Sequence, residues 1–489
     1  MLRRVLKWAA ISLAVMLLTG AALFAFGLRI VLYGGGTPRL QLVESERTRI
    51  ERLALSRAAQ RTGPAPPAAG VVNAPAAAPP SAEAAPPTAP AAAELAMLPS
   101  AAGNWTDFRG PLRDGHYRER AVRTAWPAEG LKPLWKQPVG GGYASFVSAG
   151  GRAFTIEQRG PQEVVVAYDV ASGRELWATG WDTVFRESMG GDGPRATPTW
   201  ADGRVYALGG AGELRVLEEA SGRTLWRTNI LADAGASNLQ WGMAAAPLVV
   251  DNTVVVVPGG RNGKSVVAYD RASGARAWAA LDDQGAYASP MLVTIGGVRQ
   301  ILIFSAARLV GITPGGERVL WEYPWRTNYD VNAAQPLLIS ENRIFISSGY
   351  GTGAAVIELT RSAEAFTVRE VWRNIRMKNQ FTSSVLHEGF IYGLDESILA
   401  CLDAATGAVT WKGGRYGYGQ VLLASGHLMV LTEEGELVLV RATPENHQEL
   451  ARSAALQGKT WNHPAMTDGY LLVRNGNEMA AFNLRQPER

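Results

Sequence analysis

The chain has 489 residues, and its 48 Lys/Arg against 44 Asp/Glu leave a net charge of only +4. The positive excess lies before residue 104, so the remainder is near neutral and lacks the basic face that nucleic-acid binding requires. A single cysteine, Cys401, excludes an intramolecular disulfide and a cysteine-rich metal site. The 54 glycines and 15 tryptophans favour a β protein rich in turns.

Residues 1–33 are predicted to form a signal anchor. The run from Trp8 to Leu28 carries no charge, and as a helix it would span about 32 Å, close to the hydrocarbon thickness of a bilayer. Arg3, Arg4 and Lys7 precede this run, which puts the N-terminus in the cytoplasm and the rest of the chain outside it. A cleaved signal peptide is the alternative, although its apolar stretch is usually about 7–15 residues. The sequence therefore predicts a single-pass protein of the bacterial cytoplasmic (inner) membrane, with its main domain in the periplasm or outside the cell.

Residues 34–103 are expected to separate this anchor from the main domain. The stretch from Arg39 to Arg61 is charged and is compatible with a short helix. From Gly63 to Pro99 the chain is almost entirely Ala and Pro, a composition that favours extended polyproline conformations over packing. We expect this Pro/Ala-rich linker to act as a semi-rigid stalk.

The main domain, residues 104–489, repeats a short pattern that ends in tryptophan. Its clearest copies are AYDVASGRELW at 167–177, VLEEASGRTLW at 216–226, AYDRASGARAW at 268–278 and CLDAATGAVTW at 401–411. Periods of about 40–50 residues with several short strands each are typical of a β-propeller. The Asp can accept hydrogen bonds from backbone amides in a tight turn, and the Gly tolerates a positive φ. The tryptophans are expected on the outermost strands, packed between blades: Trp135, Trp177, Trp226, Trp278, Trp321, Trp372 and Trp411.

Eight such units can be counted from their innermost strands. They begin near Tyr143, Arg195, Met243, Tyr287, Asn332, Phe381, Gly419 and Asn462. The eighth runs out after three strands, and the strand at 130–139 is expected to supply the fourth and so close the ring without an open sheet edge. The predicted fold class is all-β: an eight-bladed β-propeller of four-stranded antiparallel blades, preceded by one N-terminal transmembrane helix and a Pro/Ala-rich linker.

The copies resemble the pyrroloquinoline-quinone (PQQ) type propeller repeat, with its A-x-D-x-x-T-G-x-x-x-W signature. The segment NWTDFRGPLRDGHYRE at 104–119 looks like the W-x-x-FRGP-x-RDG leader found ahead of such propellers. This resemblance to the quinoprotein alcohol dehydrogenase-like superfamily covers about four fifths of the chain and implies the propeller fold. The superfamily includes PQQ-dependent dehydrogenases and also non-catalytic members. The chain is similar to one of the latter, the propeller lipoprotein of the outer-membrane β-barrel assembly machinery.

The resemblance also implies what a catalytic member would carry. In the dehydrogenases a vicinal disulfide lies over the quinone ring, with a Trp beneath it, an Asp base, and Ca²⁺ held by several oxygen ligands. Here Cys401 stands alone, and there is no haem attachment motif. No cofactor and no metal is therefore expected, and no catalytic residue is assigned; PQQ with calcium is kept as the alternative.

The loops that lead into the innermost strands are rich in polar and aromatic residues. In a propeller these loops all reach one face and surround the channel, so they are the candidate ligand or partner face. The residues selected there are Arg195, Gln240, Trp241, Asp330, Asn332, Lys378, Gln380, Tyr418 and His463. The alternative is a water-filled channel lined by polar side chains that satisfy one another.

Two functions follow as expectations. The first is a membrane-anchored, extracytoplasmic, non-catalytic binding or scaffold module that presents one propeller face to an envelope protein or polymer. The alternative is a PQQ-dependent oxidoreductase of the alcohol or sugar dehydrogenase type, with its cofactor at the channel mouth. Neither includes nucleic acid as a partner.

Overall fold

A computed structural model describes residues 27–62, 104–363 and 365–486, together with six isolated positions before residue 27. Most of the predicted membrane helix Trp8–Leu28 and all of the linker 63–103 lie outside the described residues. Among the residues that are described, no helix is long and apolar enough to cross a bilayer.

The N-terminal described segment folds into a hairpin followed by a helix. Strand β1 (Leu28–Leu32) pairs antiparallel with β2 (Pro38–Leu42), and one turn of 3₁₀ helix, Gly34–Gly36, joins them. Helix α1 (Glu46–Thr62) lies in the charged stretch for which a short helix was expected. The anchor boundary predicted at residue 33 falls inside the hairpin, because Leu28 already belongs to β1.

The strands that follow form a propeller. Strands β3 (His116–Tyr117) and β4 (Trp135–Pro138) come first in the chain. Blade 1 contains β5 (Val147–Ala149), β6 (Arg152–Arg159), β7 (Gln162–Asp169) and β8 (Glu175–Asp182). Blade 2 contains β9 (Thr199–Ala201), β10 (Arg204–Leu208), β11 (Glu213–Glu218) and β12 (Thr224–Asn229), and the short helix α2 (Ile230–Ala234) follows it.

Blades 3 to 5 repeat this arrangement. Blade 3 contains β13 (Leu248–Val250), β14 (Thr253–Val256), β15 (Val266–Asp270) and β16 (Arg276–Ala280). Blade 4 contains β17 (Met291–Ile295), β18 (Val298–Phe304), β19 (Arg308–Ile312) and β20 (Val319–Pro324). Blade 5 contains β21 (Leu337–Ser340), β22 (Arg343–Ser348), β23 (Gly353–Ser362) and β24 (Ala365–Asn374).

Blades 6 to 8 complete the ring. Blade 6 contains β25 (Val385–His387), β26 (Phe390–Asp395), β27 (Ile398–Asp403) and β28 (Val409–Arg415). Blade 7 contains β29 (Gln420–Ala424), β30 (His427–Leu431), β31 (Glu436–Arg441) and β32 (Glu449–Ala454), with β3 added in parallel to β29. Blade 8 contains β33 (Ala465–Thr467), β34 (Tyr470–Arg474) and β35 (Glu478–Asn483). Its fourth strand is β4, which pairs with β35, so the described ranges form an eight-bladed ring closed by strands from both ends of the domain.

The repeat signature builds the contact between neighbouring blades. Asp169 Oδ1 accepts hydrogen bonds from the backbone N–H of Ser172 at 2.8 Å and from its hydroxyl at 2.6 Å, which fixes the turn before β8. In the equivalent turn of blade 2, Gly222 has a φ of +71°, and Trp177 of blade 1 lies against it. The same indole donates its Nε1–H to the carbonyl of Glu219 in that turn at 2.8 Å. Trp177 is therefore held by the turn of the next blade.

The other six tryptophans also lie on outermost strands. Trp135, Trp226, Trp372 and Trp411 donate to carbonyls of the next blade, namely those of Val170, Arg271, Ala404 and Thr443. Trp278 lies against Gly316 of blade 4, whereas Trp321 donates to Gln300 within its own blade.

The hydrophobic core lies between blades. Tyr206 and Leu208 of blade 2, for example, are buried in one cluster with Val254 and Val256 of blade 3. Full burial of a side chain of this size contributes about 1.5–3 kcal/mol, so each blade is stabilised mainly by its two neighbours.

The leader, residues 104–119, closes one end of the channel. Trp105 exchanges two backbone hydrogen bonds of 2.9 Å with Ser148, in the innermost strand of blade 1. Arg113 donates to the carbonyl of Pro290 at 2.8 Å, and Arg109 donates to that of Ser384 at 2.7 Å. Both arginines are buried, so the leader forms a plug that ties several blades together at the end opposite the loops into the innermost strands.

Candidate functional site

The channel mouth, at the end opposite the leader, is covered by the tip of the N-terminal hairpin. Tyr33 is buried, and the backbone N–H of Gly34 donates to Glu433 Oε1 at 2.6 Å. The ring of Tyr418 lies so close to Gly34 that no Cβ would fit there. Glu433 also accepts from Trp461 Nε1 at 2.7 Å, so one carboxylate joins the hairpin to the mouth.

Charged side chains fasten the rest of this segment to the propeller. Arg39 of β2 pairs with Glu434, and Lys459 donates to the carbonyl of Leu32 at 3.4 Å. Arg57 of α1 is buried, and it donates to the carbonyl of Pro138 at 2.9 Å. Residues 27–62, which include the charged stretch from Arg39 to Arg61, are thus packed on the propeller.

A cavity of about 250 Å³ lies in the mouth between the hairpin and the leader. It is lined by Leu32, Tyr33, Gly34, Gly36, Phe108, Tyr143, Met189, Gly190, Arg195, Trp241, Ala244, Tyr287, Val331, Ala333, Tyr350, Gln380, Phe381, Gln420, Trp461 and His463. Phe108 comes from the leader and Tyr33 from the hairpin, so the cavity is bounded at both ends by segments that precede the blades in the chain.

Aromatic rings from several blades form most of its wall. Trp461 stacks on Tyr143 with ring centroids 5.4 Å apart and contacts Phe381 at 4.6 Å. On the other side, Trp241 and Tyr287 lie 5.6 Å apart. Such a wall suits an apolar or planar group better than a hydrated ion.

The cations of the mouth are already engaged. Arg195 donates to the carbonyl of Gly191 at 2.6 Å and lies over the ring of Phe185. Lys459 donates to the carbonyl of Gly190 at 2.8 Å and lies 4.2 Å from the ring centroid of Trp461. Burial lowers the pKa of Lys459 to about 8, so this amine is partly neutral above that pH.

Five of the nine sequence-predicted residues meet at the mouth. Arg195, Trp241, Gln380 and His463 line the cavity, and Tyr418 holds the hairpin tip. His463 is buried with its ring nitrogens 2.6 Å from the carbonyl of Pro464 and 3.2 Å from that of Val421. Burial lowers its pKa to about 3, so the ring is neutral at pH 7.

Two of the nine have structural partners away from the cavity. Asn332 is fully buried, where it donates to the carbonyl of Ser305 at 2.8 Å and accepts from the hydroxyl of Ser348. Lys378 forms an ion pair of 2.6 Å with Asp395. Both side chains therefore stabilise their own or a neighbouring blade and do not face the cavity.

The remaining two, Gln240 and Asp330, open onto a separate groove of about 680 Å³ on the same face. This groove is lined by Gly235, Ala236, Ser237, Asn238, Leu239, Gln240, Pro258, Gly259, Gly260, Arg261, Asn262, Asp282, Gln284, Gly285, Tyr287, Tyr329 and Asp330. Tyr329 is 67% exposed on its rim. The groove lies over the loops of blades 3 to 5, on the side of the mouth that the hairpin leaves uncovered.

The residues that hold the hairpin on the mouth were not predicted from the sequence. Glu433 and Lys459, which hold the hairpin, carry no motif of their own. The aromatic wall did carry a signal: Tyr143, Phe381 and Trp461 each stand four positions before an innermost strand.

A calcium-bound quinone does not fit these residues while the hairpin is docked. The tip covers the mouth, and Arg195 and Lys459, the cations that could pair with the carboxylates of the quinone, donate to backbone carbonyls. Among the described residues, no three His, Cys, Asp or Glu side chains come together as a metal site. Cys401 lies alone and buried in β27.

Comparisons with solved structures agree with the fold. BamB from Moraxella catarrhalis is 12% identical with a TM-score of 0.52, covering 72% of this chain and 99% of that one. Quinohemoprotein alcohol dehydrogenase from Comamonas testosteroni is 13% identical with a TM-score of 0.57, covering 79% and 82%. The quinohemoprotein alcohol dehydrogenase ADHIIG from Pseudomonas putida HK5 is 12% identical, with the same TM-score and coverage.

At these identities the likeness extends to the fold alone. No curated protein sequence matches the chain at a significant level. A family profile described as outer membrane protein assembly factor BamB matches residues 161–413, more than half of the chain. The chain therefore belongs to this BamB-type family of PQQ-like propellers.

Proposed function

We propose that this protein is a membrane-anchored scaffold of the bacterial cell envelope, which binds an envelope protein through the groove over blades 3 to 5. The proposal rests on one observation: in the part of the chain that the structure describes, charged side chains at the mouth are hydrogen-bonded within the chain, whereas two charged side chains in the groove are not. At the mouth, Arg195, Lys459 and Glu433 are all engaged within the chain. In the groove, within the described residues, the side chains of Arg261 and Asp330 make no hydrogen bond or ion pair, so they are available to a partner.

The family and the charge distribution support a binding role. The matching profile carries the name of an assembly factor, and the near-neutral propeller offers no basic face for nucleic acid. Exposed Tyr329 and Arg261 both line the groove, and these residue types are enriched at the centres of protein interfaces. In this proposal the uncharged run before residue 28 spans the cytoplasmic membrane and the propeller lies outside the cytoplasm.

Charge reversal tests the groove. Arg261→Glu and Asp330→Lys should leave the melting temperature within about 2 °C, because surface side chains without hydrogen bonds or ion pairs contribute little to stability. Both variants should fail to complement a strain that lacks the protein. The controls lie on the turn face, the opposite face of the propeller, which carries the Ser-Gly turns. They are Arg223→Glu and Asp251→Lys, which each break an exposed ion pair, with Glu218 and with Arg299; Asp251 and Asp330 share a positive φ, +50° and +56°.

Complementation by the groove variants, together with failure of the turn-face variants, would move the binding surface to the opposite face. Photo-crosslinking from position 329 in intact cells distinguishes an envelope protein, which gives a discrete adduct, from an envelope polymer, which does not. Membrane anchoring is tested separately by carbonate extraction and protease protection, in which a soluble form that begins after residue 28 would indicate a cleaved signal.

A further inference from the structure

The N-terminal hairpin has one face made only of apolar side chains. The pairing register places Leu28 opposite Leu42, Ile30 opposite Leu40, and Leu32 opposite Pro38. Side chains alternate across a strand, so these six share one face, while Arg29, Val31, Arg39 and Gln41 point to the other.

Most of this face has no partner in the propeller. Leu32, nearest the tip, lines the mouth cavity. Ile30, Leu40 and Leu42 are 68%, 69% and 78% exposed. Large aliphatic side chains that are adjacent and this exposed mark a surface that something else covers.

The opposite face of the hairpin is the one that is held. Arg39 lies over the ring of Tyr33 and pairs with Glu434, and Gln41 donates to the hydroxyl of Tyr33. Glu434 thus ties the polar face of the hairpin to the propeller and Glu433 holds its tip, whereas Ile30, Leu40 and Leu42 on the other face are turned outward.

The course of the chain identifies what covers that face. The uncharged run Trp8–Leu28 ends in the first residue of β1, so no spacer separates it from the hairpin. From Leu28 to Ile30 an extended chain covers only about 7 Å. The interfacial zone of a bilayer is about 5–8 Å deep on each side, so a hairpin that follows a membrane span directly must lie in or against this zone.

We infer that the apolar face formed by Ile30, Leu40 and Leu42 rests in the headgroup–acyl boundary of the bilayer. This inference rests on the membrane anchoring in the proposed function. It fixes the orientation of the propeller: the mouth and its hairpin face the membrane, and the Ser-Gly turns face away from it. The groove over blades 3 to 5 then also lies on the membrane side, where a membrane-embedded or membrane-proximal envelope protein would reach it.

A single-cysteine fluorescence experiment tests the inference on the full chain. Cys401 is buried, so a maleimide dye that is sensitive to polarity should react only with an introduced cysteine, and the parent chain gives the background. Leu40→Cys and Leu42→Cys report on the hairpin face. Ala272→Cys and Ala405→Cys, both exposed in Ser-Gly or Thr-Gly turns, are the matched controls on the opposite face.

Labelled proteins are reconstituted into vesicles of phosphatidylcholine and phosphatidylglycerol with and without a doxyl-labelled lipid quencher. A residue at the headgroup–acyl boundary lies about 5–10 Å into the membrane surface, so the hairpin probes should emit at shorter wavelength and lose about half of their intensity to the quencher. The turn-face probes should lose about a tenth or less.

Each other outcome has a distinct meaning. If the hairpin probes show the emission of a water-exposed dye while the protein resists carbonate extraction, the inference is wrong but the membrane anchor is retained. If carbonate extraction releases the protein from the membrane, the anchor itself is rejected. Quenching at Ala272→Cys and Ala405→Cys alone would invert the orientation. Self-quenching at Leu40→Cys that grows with the protein-to-lipid ratio would assign the face to a second copy and overturn the inference as well.

Discussion

The contact between a turn glycine and the tryptophan of the preceding blade predicts how much one methyl group should cost. Gly222 has a φ of +71°, and a Cβ there would lie 2.6 Å from Cδ2 of Trp177. Gly222→Ala therefore adds two penalties, one for the left-handed backbone and one for displacing the indole. Gly203 offers a matched control in the same blade, since its φ is +72° and nothing lies within 4 Å of its missing Cβ.

The two penalties can be estimated separately. Gly203→Ala should cost about 1–2 kcal/mol of unfolding free energy, the price of a left-handed conformation for a residue with a side chain. Gly222→Ala should cost about 2 kcal/mol more, because the displaced indole loses its 2.8 Å hydrogen bond to Glu219 and its packing against the turn. The total is about 3–4 kcal/mol.

The assay is thermal and urea unfolding of the full chain in detergent, with the double variant Trp177→Ala/Gly222→Ala completing a cycle. Without the indole, Gly222→Ala should cost no more than Gly203→Ala, which gives a coupling energy of about 2 kcal/mol. Equal costs for the two glycine variants in the native background would refute the idea that the turn and the tryptophan form one packing unit.

Three further predictions concern the ring closure, a buried carboxyl and the cofactor. Trp135→Ala should destabilise the protein by about 2–4 kcal/mol, because the half-buried indole loses its hydrogen bond to Val170 and the contact at blade 1; an unchanged melting temperature would contradict closure through β4. Burial raises the pKa of Glu163 to about 7, so the folded state keeps a proton that the unfolded chain releases. The resulting stabilisation is complete below about pH 4.5 and is lost as the pH rises through about 7, so unfolding free energy should fall by about 3 kcal/mol between pH 5 and 8, and Glu163→Gln should remove that dependence. Reconstitution with PQQ and Ca²⁺ should give neither tight quinone binding nor dye-linked alcohol or sugar oxidation, and clear turnover would reverse the proposed function.

The blades could be predicted from sequence because each one is specified locally. The Asp and Ser of a turn lie three residues apart, as Asp169 and Ser172 do, and the tryptophan follows within the next strand. The distance between copies then sets the number of strands per unit. This is why the predicted starts near Tyr143 and Asn462 fall within four residues of innermost strands.

The hairpin could not be predicted in the same way, because its partners are far away in the chain. Gly34 and Glu433 are separated by 399 positions, and nothing near Gly34 indicates that its N–H needs a carboxylate. Hydrophobicity alone also does not show whether Leu28, the last residue of the apolar run, belongs to a helix or to a strand.

The candidate site was predicted in part for a related reason. Loop membership could be inferred from sequence, and Arg195, Trp241 and His463 line the cavity in the mouth. Side-chain direction could not be inferred, since it depends on a partner across the blade. Asn332 donates to the carbonyl of Ser305 and therefore does not line the cavity in the mouth.

The closure of the ring has a consequence for how this chain is made. Leader, hairpin tip and β4 are synthesised early, yet their partners Ser384, Glu433 and β35 come late. Until the last blades are synthesised, the hairpin tip and β4 lack Glu433 and β35, so their native contacts form late. A chain that stops short of residue 478 lacks β35 and leaves β4 without its partner strand, which would make a truncated copy an easy substrate for quality-control proteases.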